Sequence, residues 1–317
     1  MARLPPISKI DAAASGSGFF LCARKDKRTG RAGPFLVLLL QDVTGEIDAK
    51  VFQDVDLADA QFDAGEFVAV QGKGNLFNQR LELVIDKIRR VIPDDARNGF
   101  RQEDCIPSSP RAIDEMWSEL ASRISSVDDE WVRQLLTRMV ARHGERLRIW
   151  PAARQVHHAY RSGLLEHLLK IMEISVMLAE AYGARRDLLI AGALLHDIGK
   201  LQELTYDIAT DYSVEGNLVG HIVIGVGMVR DEAREIPGFP PDLLLEIEHL
   251  ILSHHGAKEL GSPVEPMTVE AFILSAADDL DATLHQVRKH IEADDSSRPF
   301  TAYNKRLERS LFKPRPA

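Results

Sequence analysis

His167, His196, His221, His254 and His255 are distributed along the second half of the chain in an order that suits metal chemistry. His167 sits early in one helical stretch and His196-Asp197 ends the next, within Ala193-Leu194-Leu195-His196-Asp197-Ile198-Gly199-Lys200. His221 opens a later helix, His254-His255 ends another, and Asp278 lies inside the last long one. Imidazole nitrogens and carboxylates without sulfur make a hard-to-borderline donor set for Mn, Fe, Co, Ni or Zn. Adjacent His and Asp on a helix diverge by about 100°, so both reach a cation held against that face. Polar groups at the ends of apolar helices are costly to bury alone, and a shared cation partners several at once. His143, His249, His285 and His290 fall outside this order and read as hydrogen-bonded core residues.

Two halves of different period must position these groups. Short apolar runs broken by turn residues mark strands at 19–25, 34–41, 46–52, 66–74 and 81–91, with a polar basic loop at 26–33 and a short helix at 55–62. Three strands, a helix and two strands is the element order of a small OB barrel. Residues 93–110 are polar and proline-rich and read as a linker, with Ser108-Ser109-Pro110 as a helix start signal. Beyond it the period is helical throughout, at 114–124, 130–142, 163–182, 187–198, 220–235, 241–253 and 268–291, and 163–182 is apolar enough to be central. The expected organisation is an all-β OB domain (1–92), a linker (93–110), an all-α domain (111–295) and a basic, proline-ended, frayed tail (296–317).

Composition narrows the function. At 317 residues, 45% hydrophobic and 27% charged, the chain has room for about two domains with buried cores, which excludes a disordered or fibrous protein. A net charge of −9 excludes attachment to nucleic acid by bulk charge, so a polyanion must be met by a local patch or by bound cations. Cys22 and Cys105 stand far apart, giving no disulfide framework and no thiolate zinc site. No basic region followed by an apolar run opens the chain, and no apolar run approaches 18 residues, so it reads as cytoplasmic with no membrane partner. In the first domain, Arg24, Lys25, Lys27, Arg28 and Arg31 cluster around the loop that commonly borders an OB binding face. Phe20, Phe35, Phe52 and Phe77 lie on or near the same strands; at most two should be exposed, and those can stack on bases.

The frame His167…His196-Asp197…Asp278 resembles the HD superfamily of metal-dependent phosphohydrolases, and His221 with His254 resembles its two-metal members. More narrowly, residues 157–167, 194–200, 220–221, 253–256 and 277–281, together with the barrel segment 40–52, are similar to the YhaM family of 3′-to-5′ exoribonucleases. That family pairs an OB fold with an HD domain, so the resemblance covers both halves. Phe52 stands where a tryptophan is expected, which either weakens a stacking contact or repacks the barrel, and Arg161-Ser162 departs from the small residues expected before Gly163.

The resemblance implies two divalent cations, manganese foremost. His167, His196, Asp197 and Asp278 would hold one, and His221 and His254 the other, with Asp197 bridging. Two such ions can activate a water and stabilise the leaving oxygen of an in-line displacement, which is phosphodiester hydrolysis. Lys200 would contact a phosphate oxygen. His255 is a phosphate contact, a ligand in place of His254, or a support for a ligand; adjacency leaves all three open. His157-His158 and Tyr160 either line the pocket mouth or cap the central helix, and Glu166 either orients His167 or faces water. The implied activity is 3′-to-5′ trimming of single-stranded RNA, with DNA also open, to nucleoside 5′-monophosphates. Three other readings stand beside it: an HD phosphohydrolase acting on a small nucleotide, oxygenase chemistry at the same ligand set, and a nucleic-acid-binding regulator with an idle helical domain. Helices at 114–142 can pack within the domain or against another copy, which leaves a homo-oligomer open.

Overall fold

Period-two burial along the second strand sets the barrel interior. Leu36, Leu38 and Leu40 are fully buried while their neighbours Val37, Leu39 and Gln41 are half-buried on the outer side. In this computed structural model, which describes residues 2–30, 33–78, 80–106, 108–153, 160–206, 210–294 and 296–313, five strands close a barrel: β1 (Ser15–Gly30), β2 (Gly33–Asp42), β3 (Gly45–Val51), β4 (Phe67–Phe77) and β5 (Arg80–Arg90). The order is β1-β2-β3-β5-β4, with β1 antiparallel to both β2 and β4 and a parallel β3–β5 pair completing the ring. Helix α1 (Val55–Asp59) sits between β3 and β4, giving the OB topology that the element order implies. Ile47, Ala49, Val51, Phe62, Val68, Val70, Leu83 and Ile85 belong to the same buried core.

Two expectations change here. The basic loop is a strand: β1 runs on to Gly30 and pairs with β2 as far as Gly33, so Arg24, Lys25, Lys27 and Arg28 lie on a ladder. A bulge between Cys22 and Arg24 re-aims the strand, which is why alternation is lost there. The segment read as a linker packs on the barrel as well: the Phe100 ring lies 5.4 Å from Phe19 and 5.5 Å from Phe67, and Cys105 and Ile106 are buried.

Asp95 anchors that segment. It accepts from Arg89 Nη1 at 2.7 Å, Arg89 Nη2 at 2.8 Å and the Ile92 backbone N–H at 2.9 Å. The guanidinium contact, helped by the backbone N–H, overcomes burial and pulls the carboxyl down to about 2. A depressed carboxyl stabilises the fold above its unfolded value, and that contribution is lost as pH falls through about 2. Because Arg89 is half exposed, Asp95→Asn is expected to lower the unfolding free energy by about 1–2 kcal/mol at pH 7. The gap should narrow towards pH 2 in urea titrations; an equal gap at both ends would refute the linkage.

Contact density divides the chain into Met1–Ser108 with Tyr206–Ala209, and Ser109–Thr205 with Thr210–Ala317. The second unit is built from α2 (Ile113–Ser125), α3 (Glu130–Ile149), α4 (Gly163–Tyr182), α5 (Arg186–Leu195), α6 (Lys200–Glu203), α7 (Val214–Val219), α8 (His221–Arg234), α9 (Pro241–Ser253) and α10 (Val269–Glu292). Residues 188–195 of α5 are buried without exception, and α4 packs beside them. Helix α2 starts later than the serine-proline signal, because Ser109 Oγ accepts from Arg111 N and closes a turn instead. The 187–198 helix stops at Leu195, and two three-residue strands, Leu204–Tyr206 and Thr210–Tyr212, fall where only helix was expected; three residues are too few to show alternation. Among the described residues no helix is long and apolar enough to cross a membrane.

Candidate metal centre

Two of the histidines are set by the same local device. Helix α5 ends at Leu195 and α9 at Ser253, leaving carbonyls of the last turn without helical partners. His196 Nδ1 donates to Ala193 O at 3.0 Å, and His254 Nδ1 donates to Ile251 O at 2.7 Å. In both cases the ring caps the helix it follows and turns Nε2 inward. His255 Nδ1 donates to Leu260 O, His167 Nδ1 faces Asp281 Oδ2 at 2.8 Å, and His221 Nδ1 faces Glu203 Oε1 at 3.0 Å. Since an oxygen acceptor needs an N–H, all five rings carry hydrogen on Nδ1 and direct Nε2 to the other side.

Those nitrogens form two groups. The donor atoms of His167, His196 and Asp278 lie within 4.8 Å of one another, and so do those of His221, His254 and His255. Asp197 joins them. Its Oδ2 lies 3.6 Å from His167 Nε2 and 3.5 Å from His196 Nε2, while Oδ1 lies 3.5 Å from His221 Nε2 and 3.8 Å from His254 Nε2. The structure therefore brings together all six residues implied as ligands. It also places His255 alongside His254 rather than in its place.

Three observations show that cations fit. Asp197 Oδ1, His221 Nε2 and His254 Nε2 are buried and hydrogen-bond to nothing among the described residues; an unmet buried polar atom costs about 1–3 kcal/mol, and these three converge. His167 Nε2 and His196 Nε2 face each other at 3.3 Å, so both point at one spot that a proton or a cation can occupy. The protonation states also suit ligation. Burial holds His196, His254 and His255 below the ordinary imidazole range, which keeps them neutral. Burial alone would raise Asp197 and Asp278, but Lys200 beside the first and His167 beside the second hold both low. His167 differs: burial pushes it down, yet Asp278 and Asp281 outweigh that and lift it to about 9. A cation entering there displaces a proton.

Lys200 is buried, with Nζ 2.5 Å from Asp197 Oδ2. The chain passes from His196 to Gly199 in tight turns before α6 begins, and such turns bring residues i and i+3 together. Burial disfavours its charge, but Asp197 more than compensates and raises the ammonium. Tyr160 donates to Glu166 Oε2 at 3.0 Å, so Glu166 neither orients His167 nor stands alone in water. His157, His158 and Arg31 lie outside the described residues. The histidines read as core are half-buried instead, and none joins either group; His249 accepts from Met267 N and His290 donates to Ala302 O.

On the barrel, Phe20 is buried and Phe35 half-buried, whereas Phe52 and Phe77 are each 54% exposed. Phe52 stacks on Phe35 at 5.7 Å, so repacking of the interior is not what its aromatic ring serves, and Lys50 Nζ sits 4.6 Å over the Phe77 ring. Lys25 requires a correction. Its ammonium donates to Asp59 O and Phe62 O and pairs with Asp59 and Asp63, which leaves no N–H for a phosphate. Lys27 pairs with Asp56 and Asp59, and Arg24 and Arg28 share Asp26.

Two functional residues were not singled out from sequence. Asp281 holds His167, and Glu203 accepts from both the backbone N–H and Nδ1 of His221. Asp281 lies one turn after Asp278, and that i, i+3 spacing was its available signal. Glu203 gave none, since only packing brings it to His221.

Residues 164–283 match the HD domain family. The chain is 33% identical to the 3′-5′ exoribonuclease YhaM of Bacillus licheniformis over 286 residues, 89% of this chain and 88% of that one. The same protein of Bacillus velezensis is 33% identical over 302 residues, 93% of this chain and 94% of that one. The chain also aligns in part with the second OB-fold domain of replication protein A from Methanococcus maripaludis, at 23% identity and a TM-score of 0.24, over 28% of this chain and 95% of that domain. With a third of its positions shared across both of its halves, and an HD domain in the second, the chain belongs to the YhaM family of 3′-5′ exoribonucleases.

Proposed function

We propose that this chain is a metal-dependent hydrolase that trims single-stranded RNA, and DNA as a second substrate, from the 3′ end to nucleoside 5′-monophosphates. The observation that supports it best is the set of four Nε2 atoms, of His167, His196, His221 and His254, aimed at the two oxygens of one carboxylate, with His255 grouped beside the last two. His167, His196, Asp278 and Asp197 Oδ2 would hold one divalent ion; His221, His254, His255 and Asp197 Oδ1 the other. Manganese is the first choice, with Fe, Co, Ni or Zn also suited to these donors. When bound, such ions activate water and stabilise the leaving oxygen of a phosphodiester. The chain's own residues do the rest. Lys200 fixes the shared carboxylate and keeps a charged N–H for a phosphate oxygen, and Tyr160 can stack on a terminal base.

In this reading residues 1–92 grip the strand, through Phe52 and Phe77 with Arg24, Lys27 and Arg28, and residues 111–295 cut it. Cys22 and Cys105 are free and buried, in keeping with a cytoplasmic compartment. The test is a single-stranded RNA 20-mer with Mn²⁺. A 5′ label should shorten one nucleotide at a time, a 3′ label should appear at once as mononucleotide, and EDTA should stop both. Turnover confined to free nucleotides would favour the small-substrate reading instead.

Glu203 and Asp281 offer a finer check. Groups that orient a ligating imidazole typically contribute about 10–100-fold to metal affinity. Glu203→Ala is expected to weaken one of two Mn²⁺ equivalents by about that factor in calorimetric titration, and Asp281→Ala the other, with Glu203→Gln milder because it keeps an acceptor. Equal loss of both ions from either change would contradict the division into two half-sites.

A further inference from the structure

The last described stretch, 296–313, is not frayed. Thr301 N donates to Leu311 O, Asn304 and Arg309 exchange backbone hydrogen bonds, and Lys313 N donates to Pro299 O, making a small antiparallel arm. Asn304 Oδ1 caps its tip by accepting from Arg306 N and Leu307 N. The arm is pinned to the end of α10: His290 Nε2 donates to Ala302 O, and Asp294 takes Ala302 N and the Lys313 ammonium.

Its surface is unlike the rest of the chain. Residues 296–317 hold six Lys and Arg against the single Glu308, a net +5 in a chain of −9. Arg24, Lys25, Lys27 and Arg28 of β1 each face a carboxylate, of Asp26, Asp56, Asp59 or Asp63. Among the described residues, Arg298, Lys305, Arg306 and Arg309 have no carboxylate partner, and all four are exposed. Aromatic rings alternate with them: Phe300 is 53% and Tyr303 62% exposed. Arg298 and Phe300 also line a cleft of about 380 Å³, within the size range of small-ligand sites. Unpaired cations interleaved with exposed rings match a polyanion that carries flat bases. A lipid surface would instead call for a continuous apolar face.

We propose that the arm is a second binding site for the single-stranded nucleic acid, with Arg298, Lys305, Arg306 and Arg309 on phosphates and Phe300 and Tyr303 stacked on bases. The inference rests on the nuclease reading for its ligand. It implies that the strand is held by the unit that cuts it as well as by the barrel.

The experiment compares the full chain with a Lys305→Gln/Arg306→Gln/Arg309→Gln variant and with Tyr303→Ala, after matching thermal midpoints. Affinity for a fluorescent single-stranded 20-mer is measured in EDTA across a salt series, and hydrolysis of bis(p-nitrophenyl) phosphate with Mn²⁺ reports the metal centre alone. Each lost phosphate contact should reduce the salt slope by about 0.7, so the triple variant should lose about 2 in slope and bind roughly 30-fold more weakly. Tyr303→Ala should weaken binding about tenfold, and small-diester hydrolysis should be unchanged in both. Unaltered strand affinity and slope in the triple variant overturn the proposal. So does loss of binding to phosphatidylglycerol vesicles with strand binding intact, which would make the arm a membrane contact. A parent chain that hydrolyses neither the 20-mer nor the diester overturns the nuclease reading itself.

Discussion

Asp197→Asn is expected to reduce strand hydrolysis by about 10³-fold or more and to lower bound Mn²⁺ from two equivalents to fewer than one. Among the described residues Asp197 is the one whose two oxygens face different histidine groups, Oδ2 towards His167 and His196 and Oδ1 towards His221 and His254. An amide in its place supplies one neutral oxygen and turns an N–H₂ donor towards nitrogens that need an acceptor or a cation. It also leaves the buried Lys200 ammonium without its carboxylate, a change that destabilises by about 3–5 kcal/mol where the remaining charge stays buried. The comparison that separates mechanism from folding is Asp278→Asn, which touches only the group containing His167 and His196. Both variants should be scored by metal content, thermal midpoint and single-turnover trimming. If Asp197→Asn keeps two ions and near-normal trimming, the shared-carboxylate centre is wrong.

That centre was legible in the sequence because its chemistry is carried by residue type and order. Five histidines and two aspartates, most of them at helix ends and openings, leave few other uses for so many polar groups in apolar surroundings. The barrel was legible for a related reason: Leu36, Leu38 and Leu40 alternate with half-buried neighbours, and a helix interrupts the strands at the place an OB fold requires. What could not be read depends on contacts between distant segments. Lys25 looked like a phosphate contact because Asp59 and the Phe62 carbonyl, which consume its N–H groups, lie 34 and 37 residues away. The arm at 296–313 looked frayed because its ladder consists of a few backbone bonds and its anchors, His290 and Asp294, carry no local pattern. Residue type betrays a ligand; only packing shows whether a charge is already spoken for.

Gly199→Ala is expected to disable one half of the centre without touching a ligand. A Cβ at Gly199 would stand 2.0 Å from His221 O and 2.7 Å from Gly225 N, both backbone atoms of α8 that no rotamer change can move aside. The helix must shift, and His221 is its first residue. Overpacking of this kind costs roughly 1–3 kcal/mol in stability, and a displacement near 1 Å at a catalytic group costs about 10²-fold in rate. The group of His167, His196 and Asp278 rides on α4, on the end of α5 and on α10, whereas the three atoms nearest the new methyl all belong to α8. The variant should therefore keep about one Mn²⁺ equivalent, lose the second, and trim about 100-fold more slowly. Gly225→Ala is the control on the facing helix, since its nearest neighbour would lie at an ordinary 3.4 Å, and it should behave nearly as the parent. Loss of both ions together in Gly199→Ala, at an unchanged thermal midpoint, would mean that the two histidine groups do not load independently and that α8 supports the whole centre.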